Sequence, residues 1–156
     1  MATGSAGILL YRFVESSTEV FLVHPGGPFW AKKDAGAWSI PKGEYDEKED
    51  VLEAAKREFT EETGFTADGD FISLAPARLK GGKIIHAWAL EMDIDANRIK
   101  SNSFEMEWPP RSGKKKSFPE IDRAMWFIAD VAKLKINPGQ VPLIVELETI
   151  IASRTP

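Results

Sequence analysis

The chain has no cysteine. Disulfides, thiolate metal sites and a cysteine nucleophile are thereby excluded, and the composition fits a reducing cytosol. Long hydrophobic runs are also missing: none approaches the ~18–20 residues of a membrane span. The opening MATGSAGILLYRF carries neither the basic region nor the cleavage pattern of a signal peptide, so a cytoplasmic protein with no membrane partner is expected. Basic residues are outnumbered, 20 Lys and Arg against 24 Asp and Glu, for a formal charge of −4. Stable nucleic-acid binding is therefore not expected, although a local basic patch still counts. What is present is 156 residues, 43% hydrophobic and 28% charged. That is the composition of a globular protein, and the length predicts one domain over 1–156 with one sizeable core.

Apolar and β-branched runs predict strands at about 5–14, 19–24 and 36–40. Between the last two lies HPGGPFWAKKDAG, a Gly- and Pro-rich loop. A helix is predicted from about 47 to 63, closed by Gly64. Further strands are predicted at 70–79, 83–92 and 124–128, with a hairpin turn at Gly81-Gly82. Residues 101–120 read mainly as a long loop with a short strand near 103–107, and the chain ends in a helix at about 139–153. The order predicts an α/β architecture, a mixed sheet sandwiched between helices.

Residues 43–65, GEYDEKEDVLEAAKREFTEETGF, pose a problem of charge. Acids gather at Glu58, Glu61 and Glu62, near a helix C-terminus that is already partly negative. On a helical wheel Leu52, Ala55 and Phe59 form an apolar stripe with Val51 at its edge, and the three acids border it. Such crowded carboxylates raise one another's pKa unless a cation is present. Hard divalent cations want oxygen ligands, and Mg²⁺ commonly takes one or two carboxylates plus substrate phosphates. An acidic helix taken alone is more often a solvated face, but the surrounding spacing favours the cation.

Gly43, Glu49, Arg57-Glu58, Glu61-Glu62 and Gly64, with Phe59 and Phe65 in the apolar slots, fill every fixed position of a long spaced pattern. The segment resembles the Nudix box of the Nudix hydrolases. That resemblance implies an α/β/α sandwich and cleavage of a pyrophosphate bond in a nucleoside diphosphate derivative, with Mg²⁺ or Mn²⁺. It implies Gly43, Glu58, Glu61 and Glu62 around the metal, Arg57 as the clamp on their carboxylates, and Glu49 as partner of Arg57 or of a metal-bound water. Glu49, Glu53 and Arg57 are also spaced by four, which permits a surface ion-pair ladder. Lys42 is a candidate phosphate contact.

The resemblance further implies a general base from a later loop. Glu120, six residues before Trp126, is the candidate, with Glu105 and Glu107 as competitors. His86 either lines the pocket or is a satisfied sheet histidine, and Trp30, Trp38, Trp88 and Trp108 offer stacking surfaces. The basic run Arg111, Lys114, Lys115, Lys116 would collect a chain of phosphates, or else is a solvated loop. The flanking WSIPKGE and FPEIDRAMWF resemble the diadenosine polyphosphate hydrolases and small nucleoside triphosphate pyrophosphohydrolases. The expected substrate is accordingly a dinucleoside polyphosphate or a nucleoside triphosphate, for a monomer or homodimer. The alternatives are a diphosphoinositol polyphosphate hydrolase or a catalytically silent nucleotide sensor. The intact set of box acids favours the enzyme.

Overall fold

The computed structural model of the chain describes residues 4–154; the ends of the expected domain, 1–3 and 155–156, lie outside them. The sheet is built on β1 (Gly4–Val14), whose alternating side chains serve both faces. Leu9 and Tyr11 join one core, and Ile8 and Leu10 the other. β1 runs parallel to β6 (Ile84–Glu91) on one edge. Its other edge is shared: residues 11–14 pair antiparallel with β2 (Ser17–Pro25), and residues 4–7 with β3 (Lys42–Tyr45). β2 continues outward to pair with β9 (Ile121–Ile128). The sheet therefore opens where β2 leaves β1 and β3 takes its place. Two short strands, β4 (Ile72–Ser73) and β5 (Ala77–Arg78), pair with β6.

Helix α1 (Val51–Thr63) covers one face, packing on β1 and β3 through Ala54, Ala55 and Phe59. The other face is covered by α2 (Ala129–Lys135) and α3 (Val141–Arg154), through Ala132, Leu143, Ile144 and Leu147. The result is the expected α/β/α sandwich. β7 (Ser103–Glu107) and β8 (Lys115–Pro119) form a separate two-stranded hairpin.

Several sequence expectations change. The strand at 36–40 is a turn with isolated bridges from Trp38 and Ser39; Pro41 lacks an amide donor, and the strand begins after it as β3. The helix starts at Val51, because the Asp50 side chain caps it by accepting from Glu53 N at 3.1 Å. Its buried stripe runs through Ala54, Ala55, Glu58, Phe59 and Thr63, while Leu52 is only half-buried. The strand at 70–79 breaks into β4 and β5 around Pro76. The short strand expected near 103–107 is β7, but it pairs with β8 in a hairpin where a loop was expected, and α2 was not expected. Gly64 closes α1 with φ 82° and donates to Thr60 O at 2.8 Å, as expected. No helix among the described residues is long and apolar enough to cross a membrane.

Candidate active site

The acids of α1 meet β3 where it replaces β2 beside β1. Gly43 lies directly under Glu58: a Cβ there would stand 1.9 Å from Glu58 Oε1. Only glycine leaves room for that carboxylate. Arg57 then ties the cluster together. Its Nε and Nη2 fork onto Glu49 at 3.1 Å each, and Nη1 donates to Glu58 Oε2 at 2.6 Å and reaches Glu61 at 3.4 Å. Such bidentate, charge-assisted bonds fix orientation as well as charge. Glu49 precedes the helix, so it reaches Arg57 from the turn between β3 and α1. The expected ladder does not extend to Glu53, which pairs with Lys56 at 3.1 Å on the surface.

Glu62 turns the other way and accepts from Lys42 N at 3.2 Å. Burial lifts its carboxyl to about 8, against the pull of Lys42 and helped by the charges of Glu58 and Glu120. Burial also raises Glu58, with Glu61 adding to the shift. Glu120 is raised by burial and by Glu61. The structure thus brings Glu120, from the β8–β9 junction, to the α1 acids. Glu105 and Glu107 are not brought there. They stand on the exposed face of β7, where Glu107 faces Lys115 across the hairpin and accepts from Arg111 N at 2.7 Å.

Lys42, Glu62 and Glu120 also line a cavity of about 270 Å³, which is bounded by the end of β2, the 30–42 segment and the turn between α2 and α3. Trp30, Trp38 and Leu79 form apolar walls, and Asn137 and Gln140 lie among its polar lining. Gln140 is fixed, accepting from Ile40 N at 3.0 Å. Asn137 and Gln140 were missed in the sequence because α2 and the turn after it were missed. His86 does not line the cavity; its ring stands edge-on to Tyr45, with centroids 6.0 Å apart, as a sheet histidine. Trp88 packs on the α1-side core, and Trp108 meets Phe29 edge-on at 5.6 Å. Arg111, Lys114, Lys115 and Lys116 are all exposed at the outer end of the hairpin. Pairing of Phe104 with Phe118 and of Met106 with Lys116 puts Lys116 on the face that meets Gly27, while Lys115 shares the opposite face with Glu107.

The NUDIX domain model matches residues 2–147. The chain belongs to the Nudix hydrolase family. It is 38% identical over 81 residues to the RNA pyrophosphohydrolase of Erythrobacter litoralis (strain HTCC2594), an alignment covering 49% of this chain and 49% of that protein. The chain thus spans about half the length of the curated relative it matches. Among solved structures, a C. elegans Ap4A hydrolase binary complex superposes with a TM-score of 0.67 at 20% identity, covering 97% of this chain and 98% of that one. The NUDIX domain of Shewanella oneidensis NrtR complexed with ADP ribose gives 0.66 at 16% identity, covering 97% and 89%. At these identities the likeness is one of fold.

Nudix hydrolases generally require divalent metal ions, and the donor set here has the right chemistry: three glutamates and the Gly43 carbonyl are hard oxygen ligands. The missing side chain at Gly43 lets the Glu58 carboxylate lie against the β3 backbone. The expected convergence of the carboxylates differs in detail. Among the described residues no three His, Cys, Asp or Glu side chains are arranged as a metal cluster. Glu58 and Glu61 turn toward Arg57, and Glu62 toward Lys42 N. Crowded anions are satisfied by whichever donors adjoin them, and here those are a guanidinium and an amide.

Proposed function

We propose that this protein is a divalent-metal-dependent pyrophosphohydrolase of nucleotides, with a dinucleoside polyphosphate or a nucleoside triphosphate as substrate. The observation that carries the reading is continuity: Glu62, Glu120 and Lys42 belong at once to the acid cluster and to the aromatic cavity. A scissile phosphate at the mouth would send its nucleoside toward Trp30 and Trp38, and further phosphates outward toward the hairpin.

Glu58, Glu61, Glu62 and the Gly43 carbonyl would hold Mg²⁺ or Mn²⁺, which when bound neutralises phosphate charge and acidifies water. Arg57 holds the carboxylates in place, and Glu49 holds Arg57. Glu120, raised by burial and Glu61, is suited to take the proton from the attacking water. Lys42 contacts a phosphate oxygen as a point charge. Lys116, Lys114 and Arg111 attract distal phosphates.

The test is a chromatographic product screen over nucleotide sugars, dinucleoside polyphosphates, nucleoside triphosphates and inositol pyrophosphates, with and without Mg²⁺. The RNA pyrophosphohydrolase relative adds RNA to that screen. Mg²⁺-dependent cleavage strongest on dinucleoside polyphosphates or triphosphates is expected. Turnover confined to inositol pyrophosphates, or turnover of none, would overturn the reading.

A further inference from the structure

His24 is fully buried, yet it is a polar ring at the cavity end of β2. It sits where the β2–β9 register shifts, between His24 and Pro25, the kind of irregularity that re-aims a side chain. Its Nδ1 lies 2.8 Å from Asp122 Oδ1, and its Nε2 lies 2.7 Å from the Lys33 carbonyl oxygen. A carbonyl and a carboxylate only accept, so each ring nitrogen bonds its partner as a donor when it carries the hydrogen. The two acceptors stand next to different parts of the cavity lining. Lys33 is in the loop that carries Trp30: its amide donates to Trp30 O at 3.0 Å, and its Nζ stands 4.8 Å from the Trp30 ring centroid. Asp122 is two residues beyond Glu120, whose carbonyl accepts from Gly26 N at 2.8 Å. Position 26 has no room for a side chain, since a Cβ there would meet Pro119 O at 2.0 Å. The ring also stands edge-on to Trp38, with centroids 5.1 Å apart. Three components of the cavity thus meet at one buried ring.

We infer that His24 is a positioning residue that holds the Trp30 wall and the Glu120 carboxylate in register with each other, acting through the Lys33 carbonyl and Asp122. An apolar side chain would fill the same space without the cost of burying two polar nitrogens. The catalytic consequence rests on the proposed activity; the mechanical link does not.

Two substitutions separate the two bonds. His24→Asn places its amide near Nδ1, keeping a donor for Asp122 and giving up Lys33. His24→Gln reaches toward Nε2, keeping Lys33 and giving up Asp122. Amide hydrogen exchange on the metal-free protein should then accelerate in 26–36 and not in 119–124 for His24→Asn, and the reverse for His24→Gln. In kinetics His24→Asn should raise KM with kcat held within roughly twofold, and His24→Gln should lower kcat with KM similarly held. Each change should be roughly five- to tenfold, the size expected of one buried hydrogen bond. Asp122→Ala cuts the second bond from its partly exposed end, so it should reproduce the Gln pattern even if a His24 variant fails to fold. Equal loosening of both segments in every variant, or no loosening in any, would reduce His24 to core packing. If the wild type turns over no nucleotide, the proposed activity fails while hydrogen exchange still decides the role of His24.

Discussion

Two single residues of the acid cluster carry consequences that can be measured. Gly43 is required by the 1.9 Å approach of its missing Cβ to Glu58. Gly43→Ala should cut turnover by roughly two orders of magnitude, because an Å-scale misplacement at a site is felt on that scale, while circular dichroism stays unchanged. Wild-type kinetics in that variant would show that Glu58 need not stand where it does. Glu62 carries the second consequence. Burial raises its carboxyl from 4.5 to about 8 in the metal-free fold. Between those values the unfolded chain releases a proton that the folded chain keeps, so stability falls as pH rises through that window. Glu62→Gln should therefore melt above wild type in EDTA at pH 8–9, by roughly 2–4 °C per kcal/mol recovered, and the difference should vanish toward pH 4.5. A difference independent of pH would remove burial of the charge as its cause.

At the scale of elements, α1 is held to the sheet by Phe59, which is fully buried. Phe59→Ala should cost about 3–5 kcal/mol, read by urea denaturation; a loss under about 1 kcal/mol would mean that the helix is anchored elsewhere. The β7–β8 hairpin separates the lysines that the sequence runs together. At ~3.3 Å per residue, Lys116 stands ~13 Å from Glu120 along the strand, and only phosphates extending past the metal site reach it. Converting Lys114, Lys115 and Lys116 to Ser should raise KM for a substrate of four or more phosphates several-fold. A nucleotide sugar should be little affected, and the effect should fade at high salt. Lys116→Ser alone should account for more of it than Lys115→Ser, since Lys115 faces Glu107. Equal loss on both substrates would leave the hairpin as solvated surface. Only half of the hairpin was legible in the sequence: the alternation of SFEME marks β7, whereas KKSFP of β8 offers a single partly buried apolar side chain and no alternation. The α1 acids were legible because their role depends on spacing along one helix. Glu120 was reachable through its distance from Trp126. His24, Asn137 and Gln140 were not, because their neighbours lie across the fold and no local pattern records them.

For the whole molecule, the decisive feature is that β1 passes its edge from β2 to β3, opening the sheet beneath α1. The strong apolar runs of β1, β2 and β6 made that architecture predictable in class. The short strand β3 was misplaced, and β4 and β5 were read as one strand, because Pro41 and Pro76 shift or break pairing that the apolar pattern alone would continue. The opening joins the acid cluster to the cavity, and the proposed activity stands on that junction. Its most direct test is turnover of diadenosine tetraphosphate at saturating Mg²⁺ by wild type and Glu61→Gln, with folding checked by circular dichroism. The substitution removes one carboxylate charge with little change of shape, so Mg²⁺-dependent cleavage by wild type and at least a hundredfold loss of kcat in the folded variant (about 2.7 kcal/mol) are expected. Near-wild-type turnover in the variant, or cleavage by wild type that persists in EDTA, would contradict a metal-assisted site built on these acids.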